Sequence, residues 1–214
     1  MKTTHALMTA GALLGMAAIA VSQDGLDFGE MPAVEPAEHQ IAPAFDPSVF
    51  SQERWMETLV PGEEHKLLGK LVGEWDVEQK LWMGGPEPQV TKMTSKTEWI
   101  LGGKHIRETL VGTLLGQPFE GMGVTSYDKF AGQYVFFWAD SMGTGTYLSR
   151  GFANQDGSAI EAYGTMDEPM LNMRGKTVKY VLRTIDENSH AFEIHDLHIG
   201  GDNTKVMEMV YTRK

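Results

Sequence analysis

Residues 119–141 read FEGMGVTSYDKFAGQYVFFWADS, and the fold turns on how they divide. Two β-prone runs flank a turn at Asp128-Lys129-Phe130-Ala131-Gly132. Successive side chains of a strand point to opposite faces. Tyr134, Phe136, Trp138 and Asp140 therefore share one face of the second run, and Val135, Phe137 and Ala139 the other. Both faces are apolar, the pattern of a strand in the middle of a sheet and covered, at least in part, on both sides. A carboxylate, Asp140, ends the aromatic row, which marks this stretch as the place to seek a site.

The same alternation recurs to either side, between breaks rich in Gly, Pro, Asp and Asn. It predicts strands over 74–82, 89–100, 104–113, 119–127, 133–140, 146–152, 158–164, 176–185, 190–197 and 204–213, with residues 165–175 as a longer loop. Ten consecutive strands on short turns tend to close on themselves, because closure removes exposed edges. The expected fold is all-β, an antiparallel up-and-down barrel of about ten strands with one or two short N-terminal helices.

The faces of these strands predict a lined interior. In 89–100, Lys92, Thr94, Lys96 and Glu98 belong outside, leaving Thr91, Met93, Ser95, Thr97 and Trp99 inside. In 74–82, Trp75, Val77, Gln79 and Leu81 point inward; in 176–185, Val178, Tyr180, Leu182 and Thr184 do. Small hydroxyls among methionine and aromatics suit a partly wet hollow, and barrels of eight or more strands have room for one small ligand. For 104–113 the inward side is open: His105, Arg107, Thr109 and Val111 alternate with Ile106, Glu108, Leu110 and Gly112.

Upstream the character changes. Residues 1–22 hold one lysine, an uncharged apolar run from Ala6 to Val21 and small residues before Ser22, the three-part shape of a secretory signal. The expectation is export to the periplasm or the extracellular space, with no membrane span once the signal is removed. The chain has no cysteine, so disulfides, thiolate catalysis and a lipoprotein anchor are excluded. Residues 23–45 are acidic and proline-rich and read as a linker. Asp46-Pro47 opens a helix to Leu59. Glu63 and Glu64 begin a second, over Leu67, Leu68, Leu71 and Val72, which Gly73 ends. The barrel domain with its leading helices is thus 46–214.

Part of the net charge of −11 lies in residues 23–50, where six acids meet no Lys or Arg. Such a balance argues against nucleic acid or anionic membranes as partners.

Gly73-Glu74-Trp75, after a short helix and at the start of the first strand, resembles the Gly-x-Trp signature of the calycin superfamily, the lipocalins and their relatives. The resemblance implies that Trp75 closes one end of the barrel, with a basic residue of the last strand packed across it: Arg213, or failing that Lys214. A longer resemblance runs through His65, Leu68-Gly69-Lys70-Leu71-Val72-Gly73-Glu74-Trp75, Leu101-Gly102-Gly103-Lys104, the segment 116–123, Tyr127-Asp128, and Tyr134 with Trp138-Ala139-Asp140-Ser141-Met142-Gly143-Thr144. These resemble the bacterial family called domain of unknown function 1579 over residues 61–214. That likeness implies a calycin-like barrel, often behind a signal peptide, and no established activity.

The residues point to a small apolar or amphipathic ligand. Trp99, Trp138 and Tyr180 would supply flat walls, Met93 an adaptable patch, and Asp140 and Arg107 polar contacts. Glu120 and Arg107 lie on neighbouring runs, where they would form an ion pair. No motif assigns a catalytic residue, a metal site or a cofactor. Gly121-Met122-Gly123 lacks the strand–turn–helix context of a dinucleotide loop, and reads as the bend of a barrel strand. His195 and His198 are three apart in a strand and face opposite ways. His65, alone on its helix, reads as a packing or solvent residue. An enzyme using Asp140 or Glu120 as acid or base is the alternative. A second alternative is an interaction module, with Val135 and Phe137 on the face of a homodimer.

Overall fold

From Gly73 onward the alternation of the sequence becomes alternation of burial. The computed structural model describes residues 51–198 and 204–214. Its strands are β1 (Gly73–Leu81), β2 (Gln89–Ile100), β3 (His105–Leu114), β4 (Gln117–Asp128), β5 (Gln133–Asp140), β6 (Thr146–Ala153), β7 (Ala159–Glu168), β8 (Met173–Asp186), β9 (Ser189–Asp196) and β10 (Lys205–Arg213). Each pairs antiparallel with its sequence neighbours, and β10 returns to β1, so the tube is closed. Closure leaves no edge strand to pair with another chain. In β1, Trp75, Val77 and Gln79 are buried between exposed neighbours, as the period of two demands.

Two short helices precede the barrel, α1 (Gln52–Thr58) and α2 (Glu64–Gly69). Ser51 caps α1, its hydroxyl accepting from the Arg54 amide at 3.2 Å. The Asp46-Pro47 opening, the signal over 1–22 and the linker over 23–45 lie outside the described residues, as does the 200–203 turn. Helix α2 presses Leu68, which is fully buried, into a cluster with Ile106, Tyr134, Ile160 and Leu182. His65 is buried as well: its Nδ1 accepts from the Gly62 amide, and its ring meets Tyr127 edge-on at 6.1 Å.

Two expectations are corrected. Gly73 does not cap α2, which ends at Gly69; it opens β1 at φ 147°. A Cβ there would lie 2.4 Å from Arg213 Nη1, so the glycine leaves room for the arginine. The expected loop over 165–175 is mostly ladder. β7 runs on to Glu168 and β8 begins at Met173, with one 3-10 turn (Pro169–Leu171) between them and Asn172 in the left-handed region at φ 52°. Proline and methionine suggested irregularity there, but Lys176 pairs inward with Asp196 at 2.7 Å and holds the extension in place.

Candidate functional site

The two ends of the tube differ. At the α2 end, the Trp75 indole donates to the Leu71 carbonyl at 2.9 Å. The Arg213 guanidinium lies over its ring at 4.1 Å, a cation–π contact, and donates to the Val72 and Lys70 carbonyls at 3.0 and 3.1 Å. The Lys70 carbonyl belongs to the C-cap of α2, whose last carbonyls have no partner within the helix, and that of Val72 to the segment leading into β1. Trp75 and Arg213 are also register partners across the β1–β10 seam. His190 completes the plug, edge-on to Trp75 at 4.5 Å and stacked on Tyr211 at 4.3 Å.

Beyond the plug the barrel encloses a cavity of about 250 Å³. Leu71, Ile106, Leu182 and His190 line it towards α2; Glu108, Phe136, Tyr180 and Phe192 stand further along; Leu114, Phe119, Trp138, Tyr147, Met166 and Met207 surround the opposite end. Phe192 packs against all three core clusters and joins this hollow to the solid parts of the core.

Trp138, Asp140 and Tyr180, singled out from the sequence, line the cavity. Trp138 lies against Gly121 and Gly123 of β4: a Cβ on Gly121 would be 2.3 Å from its Cζ2, and one on Gly123 3.2 Å from its Cε3. The two glycines are thus a seat for an indole, rather than the bend expected of them. Asp140 is occupied: Oδ2 accepts from the Trp138 indole at 2.8 Å and Oδ1 from the Met142 amide at 2.9 Å. It orients the tryptophan and forms the turn.

The other three candidates are placed elsewhere. Met93 points inward but belongs to the packed cluster with Trp75, Val77 and Leu110, bent over Gly112, where a Cβ would come within 2.4 Å of its Cγ. Trp99 has the inward register but lies at the end of β2, 38 % exposed, its ring beside Gly69 of α2. Arg107 is on the outside and pairs with Glu98, not with Glu120. Glu120 is outside too, its amide donating to the Ser141 hydroxyl at 3.0 Å and its carbonyl accepting from the Ser141 amide at 2.8 Å. The outer row Val124, Phe137 and Leu148 runs unbroken across β4, β5 and β6.

The arginine's placement settles the face of β3, so Ile106, Glu108 and Leu110 point inward. Glu108, left open by sequence reasoning, accepts from the Ser95 hydroxyl at 2.7 Å and is bonded by the Tyr211 hydroxyl. Burial pushes its carboxyl above the ordinary glutamate range. Burial, with the Arg213 charge nearby, pulls His190 down to about 4, and burial lifts Tyr180 to about 12. Tyr180 Oη and His190 Nδ1 are buried without a hydrogen-bond partner. A signal for Glu108 did exist: Glu98 is unambiguously outside on β2, and its cross-strand partner is Arg107. Putting that pair outside puts the next residue inside.

Among the described residues there is no cluster of three or more potential metal ligands, and no helix is long and apolar enough to cross a membrane. His195 hydrogen-bonds Glu193, its neighbour on the same face, at 3.0 Å, and His198 Nε2 accepts from the Thr177 amide.

A solved structure of Rv2717c from M. tuberculosis resembles this chain at a TM-score of 0.52 and 15% identity, over 72% of this chain and 99% of that one. A redesigned β-barrel, b11L5F_LGL, aligns at a TM-score of 0.37 and 14% identity, over 68% of this chain and 93% of that one. The first likeness is one of fold. No curated protein matches the chain. The family model described as "Protein of unknown function (DUF1579)" matches residues 60–213, and the chain, a closed ten-stranded antiparallel barrel, belongs to that family.

Proposed function

We propose that this chain is an exported barrel that holds a small, mainly apolar or amphipathic molecule in its cavity. The observation that carries the reading is a hollow with apolar walls on which two buried polar atoms, Tyr180 Oη and His190 Nδ1, have no partner. Buried polar groups are ordinarily hydrogen-bonded, so two unpaired ones on residues lining one hollow favour a ligand that meets them. Catalysis has less support, because both oxygens of Asp140 already accept hydrogen bonds and Glu120 is outside. Export rests on the three-part pattern of residues 1–22.

Native mass spectrometry of protein taken from its own host is expected to show a bound small molecule that denaturation releases. Protein that carries nothing, and that takes up no lipid, haem or small apolar probe, would overturn the binding role. For export, N-terminal sequencing of the mature protein is expected to begin at Gln23. A cytosolic product that keeps residues 1–22 overturns it.

A further inference from the structure

The chemistry of the lining narrows the ligand class. Among the described residues that line the cavity there is no lysine and no arginine, while two carboxyls, Glu108 and Asp140, are present. The partners of Glu108 are hydroxyls, from Ser95 and Tyr211, and not a cation. Tyr180 and His190, each 7 % exposed, have a polar atom without a partner. An anion entering this hollow would leave water and meet no cation on its lining, the inward Lys176 being already paired with Asp196 at 2.7 Å, and moving an ionised group into such surroundings is strongly unfavourable. A cation would have to be buried beside Glu108, and the cost of desolvating both partners of such a pair offsets much of their attraction. A neutral hydroxyl, carbonyl or amide can meet the unpaired atoms without either cost.

Size narrows it further. At about 30 Å³ for each water-sized group, 250 Å³ takes roughly eight such groups. That is slightly below the range of about 300–1,000 Å³ usual for drug-sized ligands.

Resting on the ligand-binding reading above, we propose that the cavity selects a compact uncharged amphiphile of about eight to ten non-hydrogen atoms, whose one polar group hydrogen-bonds Tyr180, and that it discriminates against carboxylates and amines of the same length. The protonation of the site agrees: burial lowers His190 to about 4 and raises Tyr180 to about 12, so both stay uncharged near neutral pH, and burial also disfavours the charged form of Glu108.

The test uses the purified barrel with 1-octanol, octanoate, octylamine and ethylbenzene, titrated by calorimetry at pH 7.5. Octanol is expected to bind at least about tenfold more tightly than octanoate or octylamine, since each charged probe loses hydration that nothing in the site replaces. Tyr180→Phe removes a hydroxyl that has no partner, so the variant is expected to fold. It should weaken octanol on the order of fivefold, the worth of one hydrogen bond, and leave ethylbenzene unchanged. Octanoate or octylamine binding as well as octanol overturns the selectivity, as does a Tyr180→Phe protein that binds octanol like the parent, while ligand binding itself stands. Failure of all four probes, ethylbenzene included, counts against the ligand-binding reading and takes this inference with it.

Discussion

Two tryptophans, one at each end of the tube, are held in opposite ways. Trp75 is 1 % exposed, bonded to the Leu71 carbonyl just past α2, covered by a guanidinium and flanked by an imidazole. Trp138 is half-buried, lies over two glycines and is oriented by a carboxylate, with part of its surface on the cavity. The first is a stopper, almost wholly buried by the protein around it. The second is a wall with a face to spare, and that face is turned to the cavity.

That contrast can be broken by substitution. Trp75→Ala removes the stopper and is expected to cost about 3–5 kcal/mol, the range for deleting a fully buried large aromatic, read as a lower urea midpoint. Acid should act through the same end. His190 stays neutral in the folded barrel down to about 4, whereas an unfolded histidine takes its proton near 6.5. Between those values the unfolded chain binds more protons, so stability falls as pH drops from 6.5 to 4, by about 3 kcal/mol. Urea titrations across that window should show the slope, and His190→Phe should flatten it. Glu108 acts in the opposite direction. Its folded pKa is raised, so its contribution is complete below the unfolded value and is lost as pH rises through the folded one. Glu108→Gln should remove the loss of stability that sets in as pH rises past the ordinary glutamate value.

At the other end the effects are smaller. Gly121→Ala forces a methyl into the indole of Trp138 and should cost about 1–3 kcal/mol, with a shift in tryptophan emission that Trp138→Phe abolishes. Asp140→Ala frees that indole and the Met142 amide at about 1 kcal/mol. Its clearer readout is a broader Trp138 signal with little change in the urea midpoint.

Much of the architecture was legible because a barrel wall obeys one simple rule. The inward and outward rows of β1 and β2 follow from strict alternation, and the Trp75–Arg213 pair from a short signature joined to the last strand. What failed to show depends on position along the tube. Trp99 and Met93 have the correct face, yet one lies beyond the end of the cavity and the other is in its filled part. Glu108 and Arg107 are adjacent on a strand polar on both sides, where only the cross-strand partner decides. The seat beneath Trp138 needs the register between β4 and β5, and no single strand carries that information.

The bond from Arg213 to the Val72 carbonyl spans 141 residues, and the Lys214 amide bonds the Glu74 carbonyl. A nascent chain emerging from the ribosome therefore keeps β1 with a vacant flank until its final strand has been made. Loop-closure entropy must be met before such a long-range contact is rewarded. The seam locks only once β10 is present to fill that flank.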